Sequence, residues 1–162
     1  MLQRLATVLL PAILITAGAR AASPPTVPFV IEYPADCRSP ADVSFLLDAP
    51  AGKDGFIRPS GGHLVTPDGK RFRIWGVNLP VRGTVPEKAN AAIIAANIAR
   101  LGINCVRFHF LDRPAPDGII DPNRDDTRSF DPVYIDRLDF FISELKKRGI
   151  YADLNLNAGR TY

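Results

Sequence analysis

Arg107 and His109 are the residues of this chain whose types and spacing could do chemistry. They lie two apart in "GINCVRFHF", residues 102–110, and residues two apart on a strand share a face. Val106, Phe108 and Phe110 alternate with them and suit the opposite, packed face. A guanidinium presents a rigid fork of donors to a carboxylate or other anion. An imidazole can donate, accept or exchange a proton. The same alternation recurs in "YADLNLN", where Tyr151, Asp153, Asn155 and Asn157 interleave with Ala152, Leu154 and Leu156. It recurs again where Trp75, Val77 and Leu79 alternate with Gly76 and Asn78. The residues alone leave two uses of Arg107 open. It can form an internal ion pair with Asp153, because a buried unpaired charge is costly. Or it can hold a functional carboxylate or a bound anion.

The elements that must position these residues are readable from pattern. "VSFLL", residues 43–47, predicts a short apolar strand. Residues 63–79 predict a hairpin turned by Pro67-Asp68-Gly69, followed by a deeper strand. Thr84 and Glu87 have the spacing of a capping box, with Pro86 in the first turn of a helix. Ala91, Ile94, Ala95, Ile98 and Leu101 form its apolar stripe, and Gly102 ends it. After "NCVRFHF" comes a loop of about twenty residues, long enough to suggest a use; its Asp112, Asp121, Asp125 and Asp126 read as solvated carboxylates. Asp131 and Pro132 start a second helix. Tyr134, Leu138, Phe141, Ile142 and Leu145 make its apolar face, and Lys146, Lys147 and Arg148 complement its C-terminal dipole. Gly149 stops it, and residues 150–157 form a third strand.

Alternating β and α units predict an α/β fold with a parallel sheet. No glycine-rich phosphate loop follows a strand, so nucleotide binding has no support. A sheet covered by helices on both sides should be apolar on both faces. Here one face of each strand turns polar toward its C-terminal end, as in a (β/α)₈ barrel whose site lies at that end. The expected fold is therefore a partial TIM barrel, its first three β-strands and two helices, preceded by a β-hairpin and an irregular arm.

Residues 1–21 read as a secretory signal peptide: a short positive start, an apolar run, and "ARA" as the cleavage site near Ala21. Residues 22–54 read as a Pro-rich arm or linker with one strand at "FVIEY", and residues 55–162 as the N-terminal part of the barrel. The expected location is secreted or periplasmic, with no stable membrane insertion after cleavage. The net charge of +3 falls to about +1 without Arg4 and Arg20. No basic run or aromatic-interleaved stripe is present, which argues against nucleic acid. Cys37 and Cys105 could pair in an oxidising compartment or stay free. Two Cys and two His, widely separated, do not spell a metal site, and no cofactor is expected.

Three segments then resemble a known family: "DGKRFRIWGVNLP", "IARLGINCVRFHF" and "YIDRLDFFISELKKRGIYADLNLN". Together they are similar to the start of a clan A glycoside hydrolase, most like the cellulase-type family 5 barrels, over residues 55–160. The resemblance implies that Arg107 orients the catalytic nucleophile and that His109 lines a subsite. Asp153 matches the Asp of the family's Asp-Leu-His segment, and Asn155 stands where that segment has His. Asn78 and Asn157 would join His109 and Asn155 in binding a polysaccharide or oligosaccharide. The implied reaction is hydrolysis of a β-glycosidic bond with retention, which needs two carboxyls about 5–5.5 Å apart.

The chain has three glutamates: Glu32 in the arm, Glu87 in the capping box and Glu144 in the second helix. None falls at a strand end, and the family's catalytic pair belongs to later strands. The expectation is an N-terminal fragment of such a barrel, inactive alone. A second reading is a non-catalytic exported module that binds carbohydrate or a partner through the polar face. A third, metal-dependent hydrolysis, would want His-x-His where this chain has Arg-Phe-His.

Overall fold

The computed structural model describes residues 40–156. The signal peptide, the "FVIEY" strand, Cys37, Glu32 and Asn157 lie outside the described residues. The elements in chain order are β1 (Arg58–Ser60), β2 (His63–Val65), β3 (Gly76–Pro80), α1 (Lys88–Arg100), β4 (Cys105–His109), α2 (Pro132–Lys147) and β5 (Tyr151–Leu154). β1 and β2 are an antiparallel hairpin; β3, β4 and β5 form a parallel sheet in that order, with β4 in the middle. The fold is mixed α/β: one small parallel sheet and two helices.

β4 organises the core. Val106 and Phe108 are fully buried and join one apolar cluster with Ala91, Ala95, Ile98 and Ala99 of α1 and Leu138, Phe141 and Leu145 of α2. The Phe108 and Phe141 rings meet edge-on with centroids 5.9 Å apart, a preferred aromatic geometry. Both helices thus serve the cluster that the Val106 and Phe108 side of the sheet enters. The opposite side of β4 is left to Cys105, Arg107 and His109.

The two helices start differently. The α2 cap is as the sequence predicts: the Asp131 carboxylate accepts from the Val133 and Tyr134 amides at 2.9 and 3.2 Å, with Pro132 in the first turn. At α1 the predicted capping box does not form. Its N-cap is Glu87, which makes no side-chain cap bond. Thr84 lies one turn earlier, ending a 3₁₀ turn over Val81–Thr84, where its hydroxyl donates to the Val81 carbonyl at 2.6 Å. Pro86, which lacks an amide and restricts Val85, separates that turn from the helix. The predicted stripe holds for Ala91, Ile94, Ala95 and Ile98, but Leu101 is exposed beyond the helix end. At the α2 C-terminus, Lys147 and Arg148 pair with Glu144, and those two cations hold its carboxyl below the ordinary range.

Two strand expectations are corrected. "VSFLL" is a 3₁₀ turn over Ser44–Leu46, set by the Asp42 carboxylate accepting from the Ser44 amide at 2.9 Å. Phe45 and Leu46 are exposed, so no burial favours a strand there. The predicted hairpin is extended: its first strand, β2, also pairs upstream with β1. β1 meets β2 across Gly61-Gly62, both in the left-handed region that glycine tolerates. The Pro67-Asp68-Gly69 turn also forms, closed by Thr66 and Lys70 at 2.9 Å and followed by a bridge between Val65 and Arg71. Ile74 and Trp75, expected in a buried strand, are exposed on the approach to β3. The arm residues before β1 lie on the domain: the Val43 amide donates to the Arg100 carbonyl and the Ala51 amide to that of Lys146, each at 2.9 Å.

The contrast between the helix starts is testable. Asp131→Ala should cost about 1 kcal/mol in urea unfolding, as loss of a cap does, and Glu87→Ala well under half of that. Equal losses would mean that Glu87 caps α1 after all.

Candidate functional site

The site is built along the polar face of the three parallel strands, from their middle to their ends. In register, Asn78 of β3 lies beside Arg107 of β4, and Arg107 beside Asp153 of β5. The sheet therefore carries a row of amide, guanidinium and carboxylate across one face. One step further along, His109 pairs in register with Pro80. The Asn155 amide then donates to the Phe108 carbonyl at 3.1 Å, extending the β4–β5 pairing past the last strand residue. That bond brings the Asn155 side chain to His109: Asn155 Nδ2 lies 2.8 Å from His109 Nδ1. Of the five residues picked out by sequence, the structure brings Asn78 and Arg107 together in one row and His109 and Asn155 into direct contact. The fifth, Asn157, lies outside the described residues.

Arg107 is not the buried charge that the sequence suggested. Its side chain is 50% exposed and that of Asp153 is 59% exposed, with Nε to Oδ2 at 4.0 Å. At that distance and exposure an ion pair contributes between nothing and about 1 kcal/mol. Arg107 therefore needs no carboxylate to sit where it does. The pair is loose, and half of the Arg107 side chain is exposed to solvent.

Phe110 departs from the alternation that placed it on the packed face with Val106 and Phe108. It follows the last β4 residue with φ of +67°, a region a bulky residue rarely enters. Its ring instead lies against the His109 imidazole, centroids 3.9 Å apart at 48°, with the Arg113 guanidinium 5.3 Å from the Phe110 ring. No sequence signal marks this turn; the strand pattern argues against it.

Cys105 opens the polar face of β4 as a buried, free thiol. Burial pushes its pKa up and the Asp153 carboxylate adds to the shift. In the loop, Asp112 is buried, not solvated; Leu111, Gly118, Ile119 and Ile120 are buried too, and bridges join Ile120 to Pro114 and Phe130. Asp125 and Asp126 are exposed as expected, and Asp121 is half-buried. Glu87 sits at the α1 N-terminus, 3.9 Å from Arg137. Neither it nor Glu144 ends a strand. Among the described residues no cluster of three or more His, Cys, Asp or Glu could hold a metal, and no helix is long and apolar enough to cross a membrane.

Chemically, the face offers donors at Arg107 and Asn78, an acceptor at Asp153, and an imidazole fixed by an amide and a ring. Comparison with family models, curated proteins and solved structures gives no match to this chain.

A raised thiol pKa leaves less thiolate at neutral pH, and the thiolate is the reactive form. Cys105 should therefore alkylate with iodoacetamide at pH 7.5 at least tenfold more slowly in the native chain than in urea, read by peptide mapping. Equal rates would contradict its burial.

Proposed function

We propose that this chain carries the first three strands of a (β/α)₈ barrel of the glycoside-hydrolase type, and that the polar ends of those strands bind a β-linked glycan. The observation that carries the reading is the row Asn78–Arg107–Asp153 across the middle of three adjacent parallel strands, with His109 and Asn155 in contact beyond it at the C-terminal ends of β4 and β5. The topology supports the barrel. Strands in sequential order, with both helices feeding one core cluster, suit a sheet that curls with its helices outside. A doubly wound sheet instead reverses strand order and places helices on both faces. The open edge of β5 has an apolar concavity on its helix side, lined by Ile142, Ile150 and Ala152 with Phe56 and Ile57. Those are surfaces that a further βα unit covers in a barrel.

In this reading Asn78, His109 and Asn155 line the sugar, and Arg107 orients a nucleophilic carboxylate that is not among the described residues. The protein would be exported and would act on a polysaccharide or oligosaccharide with retention, through a covalent glycosyl-enzyme. A non-catalytic carbohydrate-binding module is the second reading. It is favoured by one observation: both described glutamates are engaged on helices.

Titration calorimetry on the full chain, with β-1,4-linked gluco-, manno- and xylo-tetraose, tests the shared claim. Asn78→Ala and His109→Ala should each weaken the best binder about 2- to 10-fold, the value of a neutral hydrogen bond. No heat with any of the three sugars, or affinity untouched by both variants, would overturn it. Arg107→Ala separates the two readings. An arginine that orients a carboxylate leaves sugar affinity within about threefold, whereas one that binds sugar directly loses tenfold or more, as charged hydrogen bonds do. With no strand-end glutamate among the described residues, the 162-residue chain should release no reducing sugar; hydrolysis by the purified chain would refute that.

A further inference from the structure

His109 is constrained on two sides. On its edge, Nδ1 lies 2.8 Å from Asn155 Nδ2. An amide nitrogen carries only donors, so in this arrangement Nδ1 accepts with its lone pair. A neutral imidazole with a free lone pair on Nδ1 carries its proton on Nε2. On its face, the Phe110 ring lies against the imidazole, with centroids 3.9 Å apart. Phe110 reaches that place through a left-handed backbone, φ +67°, a conformation held only where the surroundings impose it. A half-turn of the imidazole about its Cβ–Cγ bond would break the hydrogen bond from Asn155. The Nε2 edge, by contrast, has no hydrogen-bond partner among the described residues, and His109 is half-buried at the strand ends.

We propose that Asn155 is a positioning residue which locks His109 in its Nε2–H tautomer and so makes it a hydrogen-bond donor to a hydroxyl or acetal oxygen of the glycan. The donor role rests on the carbohydrate reading above; the tautomer lock does not. Asn155 suits the task because its amide keeps a donor at Nδ1 at any pH. An aspartate in its place could only accept, and would draw the proton onto Nδ1. The lock thus converts an ambivalent imidazole into a donor of fixed sense, beside the donors of Arg107 on the same strand face.

The test is nitrogen NMR of the full chain labelled with ¹⁵N-histidine. Only His63 and His109 contribute, and His63, exposed in the hairpin, is the internal control, assigned by His63→Gln. At a pH where His109 is neutral, its Nδ1 should show a pyridine-type shift and its Nε2 a pyrrole-type shift. Asn155→Asp should exchange the two patterns, and Asn155→Ala should leave a mixture, with the His63 signals unchanged in both. A wild-type Nδ1–H tautomer, or an Asn155→Asp spectrum identical to wild type, would overturn the lock. Saturating β-1,4-linked gluco-, manno- or xylo-tetraose, whichever binds, should then move the Nε2 signal and leave Nδ1 of the pyridine type. Binding by calorimetry with Nε2 unmoved would overturn the donor role and spare the glycan reading. Absence of all binding would sink the glycan reading, and the donor role with it, while the spectra of the free chain still decide the lock.

Discussion

The complete burial of Val106 and Phe108 on one side of β4 is the constraint on which the rest depends. Each buried aliphatic or aromatic side chain contributes about 1.5–3 kcal/mol, and both helices converge on this pair. Because strand side chains alternate, that burial leaves Cys105, Arg107 and His109 only the opposite side. The parallel register then brings Asn78 and Asp153 alongside Arg107. The polar row is a geometric consequence of the core.

Position along the strand decides what each polar residue experiences. Cys105, at the start, is buried and its thiol is pushed up. Arg107, one pleat on, is half exposed and only loosely paired. His109, at the end, is held by Asn155 and Phe110. Along this face the chain passes from a buried thiol through an exposed guanidinium to a half-buried imidazole.

Much of this was legible in the sequence because it follows from period and from local chemistry. The alternation in "VRFHF" predicted both faces of β4, and Asp131-Pro132 predicted the α2 start through a cap that needs no tertiary partner. The failures share a different cause. Thr84–Glu87 has the spacing of a capping box, yet Pro86 and the preceding 3₁₀ turn shift the helix start to Lys88. "VSFLL" has strand composition, but Phe45 and Leu46 are exposed and the Asp42 carboxylate sets a turn instead. Phe110 continues the apolar alternation on paper and leaves it in space, because the chain turns sharply after His109. The burial of Asp112 and the exposure of Arg107 depend on how the loop folds back and on what covers the sheet. No local pattern records either.

The central proposal is that a glycan sits on the polar face of β3, β4 and β5. The most direct measurement is a crystal structure of the full chain with the bound β-1,4-linked tetrasaccharide, or intermolecular NOEs to the same sugar. The account predicts sugar oxygens within hydrogen-bonding reach of His109 and Asn78, on the face opposite Val106 and Phe108. A sugar bound instead against the exposed Trp75 or in the concavity beside Phe56, with Arg107 and His109 uncontacted, would contradict it.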